Sequence, residues 1–240
     1  MSETQETSTG LRILVADPKH GPLPALLLVL TIVTGAVDAV SILSLGRVFV
    51  ANMTGNVVFV GFALAGAPGF SLSASLFALG GFLVGAAVGG ALIGRIKSQR
   101  AALLRACVTG ELLLLTAALL IAIIAGTPFT GVAVDSLAAL AAVAMGLQNA
   151  VVRKLAVPDL TTTVLTMTIT GLAADLRGGG HGPAVLRRLL AVAMMLIGAV
   201  AGALLVLHVG AAAGLGLAVG LLVIACAGSV LAARQPAGWN

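Results

Sequence analysis

Runs of about twenty apolar residues, separated by short polar punctuation, dominate the chain from residue 24 onward. Six runs are long enough for α-helices that cross the hydrocarbon core of a bilayer: roughly 24–45, 73–94, 102–125, 133–152, 186–208 and 211–233. Two shorter stretches, about 51–66 and 161–175, are apolar but rich in Thr, Asn or Gly. They predict short helices that re-enter the membrane or break within it. Residues 1–23 are polar and lack the basic start, apolar middle and cleavage site of a signal peptide, so they read as an N-terminal tail. Residues 234–240 read as a C-terminal tail.

Composition turns this pattern into a class. Of 240 residues, 60% are apolar and 9% charged, and the mean hydropathy is +1.17. One soluble core cannot hide that much apolar surface, so lipid is the main solvent and the bilayer the first partner. The net charge of +5 is no nucleic-acid signal, because no basic stripe alternates with stacking aromatics. The thirteen Lys and Arg residues instead choose a topology. With six spans and a cytoplasmic N-terminus, every one except Arg47 falls on the cytoplasmic side. Eight full spans would leave Arg12, Lys19, Arg177, Arg187, Arg188 and Arg234 outside even in the better orientation. Six spans with both termini in the cytoplasm, in a bacterial inner membrane, is the expectation.

The chain also repeats itself. "TGAVDAV" (34–40) aligns with "MGLQNAV" (145–151), "NMTGN" (52–56) with "VLTMT" (164–168), and "LVGAAVGGAL" (83–92) with "LIGAVAGALL" (196–205). The offset moves from 111 to 112 to 113, the drift single-residue loop insertions produce. Gly35 falls on Gly146, Asp38 on Asn149, Thr54 on Thr166, Gly85 on Gly198 and Gly89 on Gly202. The halves are 24–125 and 126–233. Each holds a span, a short polar stretch and two more spans, and an odd number of crossings turns the second copy upside down. The fold expected is an all-α membrane protein of six transmembrane helices, arranged as two inverted three-helix repeats, each with a short re-entrant or broken helix. Such repeats are the layout of many secondary transporters, with the site near the midplane at the repeat interface.

Polar residues inside the spans supply the candidate site. Asn52, Thr54, Gly55 and Asn56 are poor helix formers and good turn formers, and Thr166 and Thr168 are their counterparts. Asp38, with its mate Asn149, is an intramembrane acid that could bind a cation or carry a proton; the alternative is a carboxylate bonded to Thr34, Ser41 or Ser44, or capping a broken helix. Glu111, near mid-bilayer with Thr109 close by, is the second acid, in a transport role or a structural ion pair. Asp175 beside Arg177 reads as solvated. Arg153, Lys154, Arg187 and Arg188 mark the membrane edge, where anionic head groups would favour them. Gly81, Gly85 and Gly89, with Gly198 and Gly202, have the small-xxx-small spacing that lets helices approach closely, within one subunit or across a homodimer. Cys107, Cys226, His181 and His208 have no partners at ligand spacing, so neither metal nor disulfide is expected, and no cofactor. No motif sets a nucleophile beside a base, so no enzyme is expected.

The segments "TGAVDAVSILSLGRVFVANMTGN" and "GLQNAVVRKLAVPDLTTTVLTMTITGLAADL" resemble the YoaK family of bacterial membrane proteins over roughly residues 24–233. The D-A-x-S segment at 38–41, "ANMTGN" and "GLQNA" carry the likeness, in order and without departure. The resemblance implies an integral inner-membrane protein and names no substrate. Together these readings point to a transporter or channel for a small solute or ion, against the rival of a non-transporting scaffold or partner subunit.

Overall fold

A computed structural model describes residues 20–96, 99–177 and 183–233. Apart from residues 20–23, the expected tails lie outside the described residues, as does His181. Among those described there are eight helices and no strand: α1 Leu23–Ser44, α2 Met53–Leu64, α3 Leu72–Ile96, α4 Arg100–Ala125, α5 Val132–Leu155, α6 Thr166–Arg177, α7 Pro183–His208 and α8 Ala211–Ala233. All but α2 and α6 are long and apolar enough to cross a membrane. Side chains such as Leu83, Leu113, Ile124, Leu196 and Leu207 face outward, which only a lipid solvent makes favourable.

Contacts fix the direction of each span. We call the face where α1 begins the near face and the face where it ends the far face. The end of α1 (Val40), the end of α4 (Ala118) and the starts of α5 (Leu137, Ala141) and α8 (Leu215) line one small far-face cavity. At the near face Arg100, opening α4, donates to the carbonyl of Leu155, closing α5. Leu26 of α1 likewise meets Gly228 of α8 there. Crossings that alternate only over the six long helices satisfy all of these contacts.

Two parallel helix pairs form the centre, and glycine is the physical reason for both. A Cβ at Gly35 would collide with the backbone of Met195 and Ala199, and one at Gly198 with that of Ile32, so α1 and α7 run backbone against backbone. The same holds for Gly85 against Val143 and Gly146 against Phe82 and Ala86, which join α3 to α5. Gly81 lies against Ala139, Gly89 against Leu147 and Ala150, and Gly202 against Ala36. Lipid supplies no hydrophobic drive between helices, so dense van der Waals contact of this kind holds them together.

The packing partnerships exchange between the halves. α3 packs on α5 as α7 packs on α1; α4 packs on α5 as α8 packs on α1; α2 packs on α3 as α6 packs on α7. Because α3 runs parallel to α5, the segment carrying α2 leaves and rejoins the far face; because α7 runs parallel to α1, the segment carrying α6 does so at the near face.

The breaks lie slightly upstream of where the sequence suggested. Thr54, Gly55 and Asn56 are helical, in the first turn of α2, and the irregular chain is 45–52. Asn52 caps this helix by accepting from the Gly55 N–H at 3.4 Å. Helix α6 starts only at Thr166 rather than 161. The Thr161 hydroxyl donates to the Val164 carbonyl at 2.7 Å and the Thr163 N–H to the Thr161 carbonyl at 2.8 Å, local bonds that compete with a helical ladder.

Candidate functional site

Each half sends a loop back into the bundle, and the repeat-paired residues Asp38 and Asn149 hold it there. Asp38 Oδ1 accepts the backbone N–H groups of Val50 and Ala51, both at 3.3 Å. Asn149 Nδ2 donates to the Thr163 hydroxyl at 2.6 Å, and Thr163 is the repeat counterpart of Ala51. Each anchor lies six residues before its helix ends, so the loops dip about 9 Å below the helix ends. Val48, Val50, Ala51, Leu160, Thr162 and Thr163 are all buried. Irregular backbone survives at that depth because protein covers it. The bond partners of Asp38 are thus loop amides; Ser41 donates only to its carbonyl, at 3.0 Å.

The two loops are secured differently at their outer ends. In the first, the buried Asn56 amide satisfies both backbone groups of Phe49, accepting its N–H at 2.9 Å and donating to its carbonyl at 2.6 Å. Phe49 stacks on Phe59 with centroids 5.6 Å apart, Phe59 meets Phe70 at 5.1 Å, and the Arg47 guanidinium covers Phe70 at 5.8 Å. Gly55 makes room for the Phe49 ring, which a Cβ would meet at 2.6 Å. In the second half an ion bridge takes this place. Arg188 of α7 donates to Asp159 at 2.8 Å and to Asp175 of α6. Asp175, expected to be merely solvated, is therefore paired, and Arg188 does more than mark an edge. Fold-back of the loop brings Asp159 and Asp175 to one cation, which spacing along the chain does not reveal.

A polar layer crosses the interior between the halves. Gln148 is fully buried; its Nε2 donates to Thr34 at 3.1 Å and to Thr162 at 2.7 Å, tying α5 to α1 and to the second loop. Glu111, also fully buried, accepts from the Cys107 thiol at 3.1 Å. Both cysteines are free thiols, and Thr109 faces Cys226 of α8 at 3.9 Å. Sequence reasoning passed over Gln148, whose signal was available: an amide in the repeat motif "GLQNA" inside a span.

The other candidates are not gathered together. Asn52, Thr54 and Thr166 are exposed, while Asn56 and Thr168 are buried. Helix α2 packs on α3 and α6 on α7, with no contact between α2 and α6. The short helices themselves lie at the periphery; the loops preceding them reach inward. Beside the second loop is a cavity of about 260 Å³ lined by Asn149, Arg153, Thr161 and Thr163 among others.

Comparison with known proteins agrees with a membrane protein. Residues 26–228 match a family described as "Protein of unknown function (DUF1275)". The chain is 35% identical over 155 residues to the UPF0700 transmembrane protein YoaK of Bacillus subtilis (strain 168), covering 64% of this chain and 67% of that protein. No solved structure matches.

Proposed function

The chain belongs to the DUF1275 family of membrane proteins, and from the site itself we propose that it moves a small solute or ion across the membrane. We read the halves as inverted repeats. The observation that carries the proposal is the pair of loops, one from each face, held inside the bundle by the matched residues Asp38 and Asn149. Each buried loop leads outward into a short helix, α2 in one half and α6 in the other. Polar loop backbone brought in from both faces is what a polar solute would meet between the halves.

The far-face cavity between the halves measures only about 10 Å³, room for one water at most. Passage therefore requires the halves to shift, and the parallel pairs α1–α7 and α3–α5, each spanning both halves, are the surfaces on which they would rock. Arg95, Arg100, Arg153, Lys154, Arg187 and Arg188 belong to the near-face ends of their helices and Arg47 to the far face, which supports a cytoplasmic near face in an inner membrane.

The test is a flux and thermal-shift screen of metabolites and ions on the purified protein in vesicles. A solute that both stabilises the protein and moves, with movement reduced in D38N, supports transport. No stabilising solute, together with a stable complex with another membrane protein on pull-down, would replace it with a scaffold.

A further inference from the structure

The polar layer holds two buried acceptor atoms without a donor. Glu111 Oε2 and Gln148 Oε1 have no hydrogen-bond partner among the described residues, and both residues are fully buried. Buried polar atoms are rarely left so. The two lie within about one helical turn of each other along the α4–α5 interface, because a Cβ on Gly110 would stand 2.8 Å from Leu147 Cδ2, and Glu111 and Gln148 are the next residues of these antiparallel helices. The Gln148 bond to Thr34 brings α1 to the same level.

Apart from the Thr162 hydroxyl, which accepts from Gln148, the donors already in the layer are committed elsewhere. Thr31 donates to the Leu27 carbonyl at 2.8 Å and Thr34 to the Leu30 carbonyl at 3.0 Å. Cys107 donates to Glu111 Oε1, and the Gln148 amide nitrogen to the two threonines. Nor is a counter-ion at hand among the described residues. On α4, Arg105 lies six residues from Glu111; on α5, Asp135, Arg153 and Lys154 lie toward the helix ends. The α3 cation Arg95 sits at its near-face end, α8 offers Cys226 facing Thr109, and Asp38 of α1 is bound to Val50 and Ala51.

One proton can complete both orphaned atoms. We propose that Glu111 is a proton-exchange site: its carboxyl binds and releases a single proton, and when bound that proton is donated toward Gln148 Oε1, directly or through one water. Only the proton moves. The layer joins α1 and α4 of one half to α5 and the inward loop of the other, so gaining or losing this proton changes the fit between the halves. The inference rests on the transport reading for its use, where it makes the proton the coupling ion.

The test needs no solute. The sequence has three glutamates, Glu3, Glu6 and Glu111, so in an E3Q/E6Q chain labelled with ¹³C-glutamate every labelled side-chain carboxyl band belongs to Glu111. Infrared spectra of that chain in vesicles should show the band passing reversibly between carboxylate and carboxylic acid as pH is varied. Q148L should shift the frequency of the acid form. A band fixed in one form at every pH where the protein stays folded, a carboxylate band that moves with Na⁺ or K⁺ instead, or an acid band indifferent to Q148L would overturn the proposal. A titrating Glu111 with no flux of any solute would remove the transport reading and leave the proton site standing; flux with a fixed Glu111 would do the reverse.

Discussion

Replacing Asp38 with alanine separates its anchoring role from its charge. Val50 is 0% and Ala51 2% exposed, so losing the carboxylate leaves two buried N–H groups without an acceptor. Each such group costs about 1–3 kcal/mol. Both bonds are long at 3.3 Å, which favours the lower half of that range and gives about 2–4 kcal/mol for the pair. At a factor of ten per 1.4 kcal/mol, the loop opens roughly 30- to 1000-fold more often. Hydrogen–deuterium exchange with mass spectrometry reads this directly on a peptide spanning 45–52, and circular dichroism follows melting of the whole bundle in detergent. D38N keeps an oxygen acceptor, as Asn149 keeps an amide in the other half, and should preserve most of the protection while removing the charge. If D38A exchanges at the wild-type rate over Val50 and Ala51, Asp38 does not hold the loop and its matching with Asn149 loses its meaning.

Other perturbations test the remaining contacts. G35A and G146A should destabilise the bundle by similar amounts, about 1–3 kcal/mol each in thermal unfolding, because each new Cβ meets backbone of the matching helix; G94A, with nothing within 4 Å, should not. N56A strips both backbone partners from Phe49 and should cost about 2–4 kcal/mol, with exchange rising over 45–52 and not over 156–165. R188A removes the cation shared by Asp159 and Asp175, so exchange should rise in α6 while α2 stays protected; unchanged α6 exchange would mean the bridge is not what anchors it. In a C226A background, cysteines placed at the exposed positions Pro68 and Pro158 should react with an impermeant thiol reagent from opposite sides of the vesicle. Reaction from the same side would end the alternation of six spans.

Much of the fold was legible because a bilayer imposes few and strict rules. Span number follows from apolar length, and the charges at 95–105, 153–154 and 187–188 mark helix ends whatever the packing. The aligned glycines were legible for a similar reason: only a missing Cβ lets Gly35 and Gly146 sit on another backbone, so their spacing survives in both copies. The site was less so. Asp38 stood out as a charge in a span, but its partners, Val50 and Ala51, are backbone groups that no side-chain pattern announces. Thr54 and Thr166 looked like pore-lining residues by polarity alone and are exposed on the peripheral helices.

The amino-acid order by itself determined that the chain lives in lipid, crosses six times and repeats one motif, since each follows from transfer free energy summed along a local segment. Which polar atoms meet was decided only by tertiary structure. Gln148, Thr34 and Thr162 come from two helices and a loop that folds back about 9 Å, and a meeting of that kind depends on helix rotation and depth. Hydropathy averages those quantities away; backbone contact at the glycines fixes them.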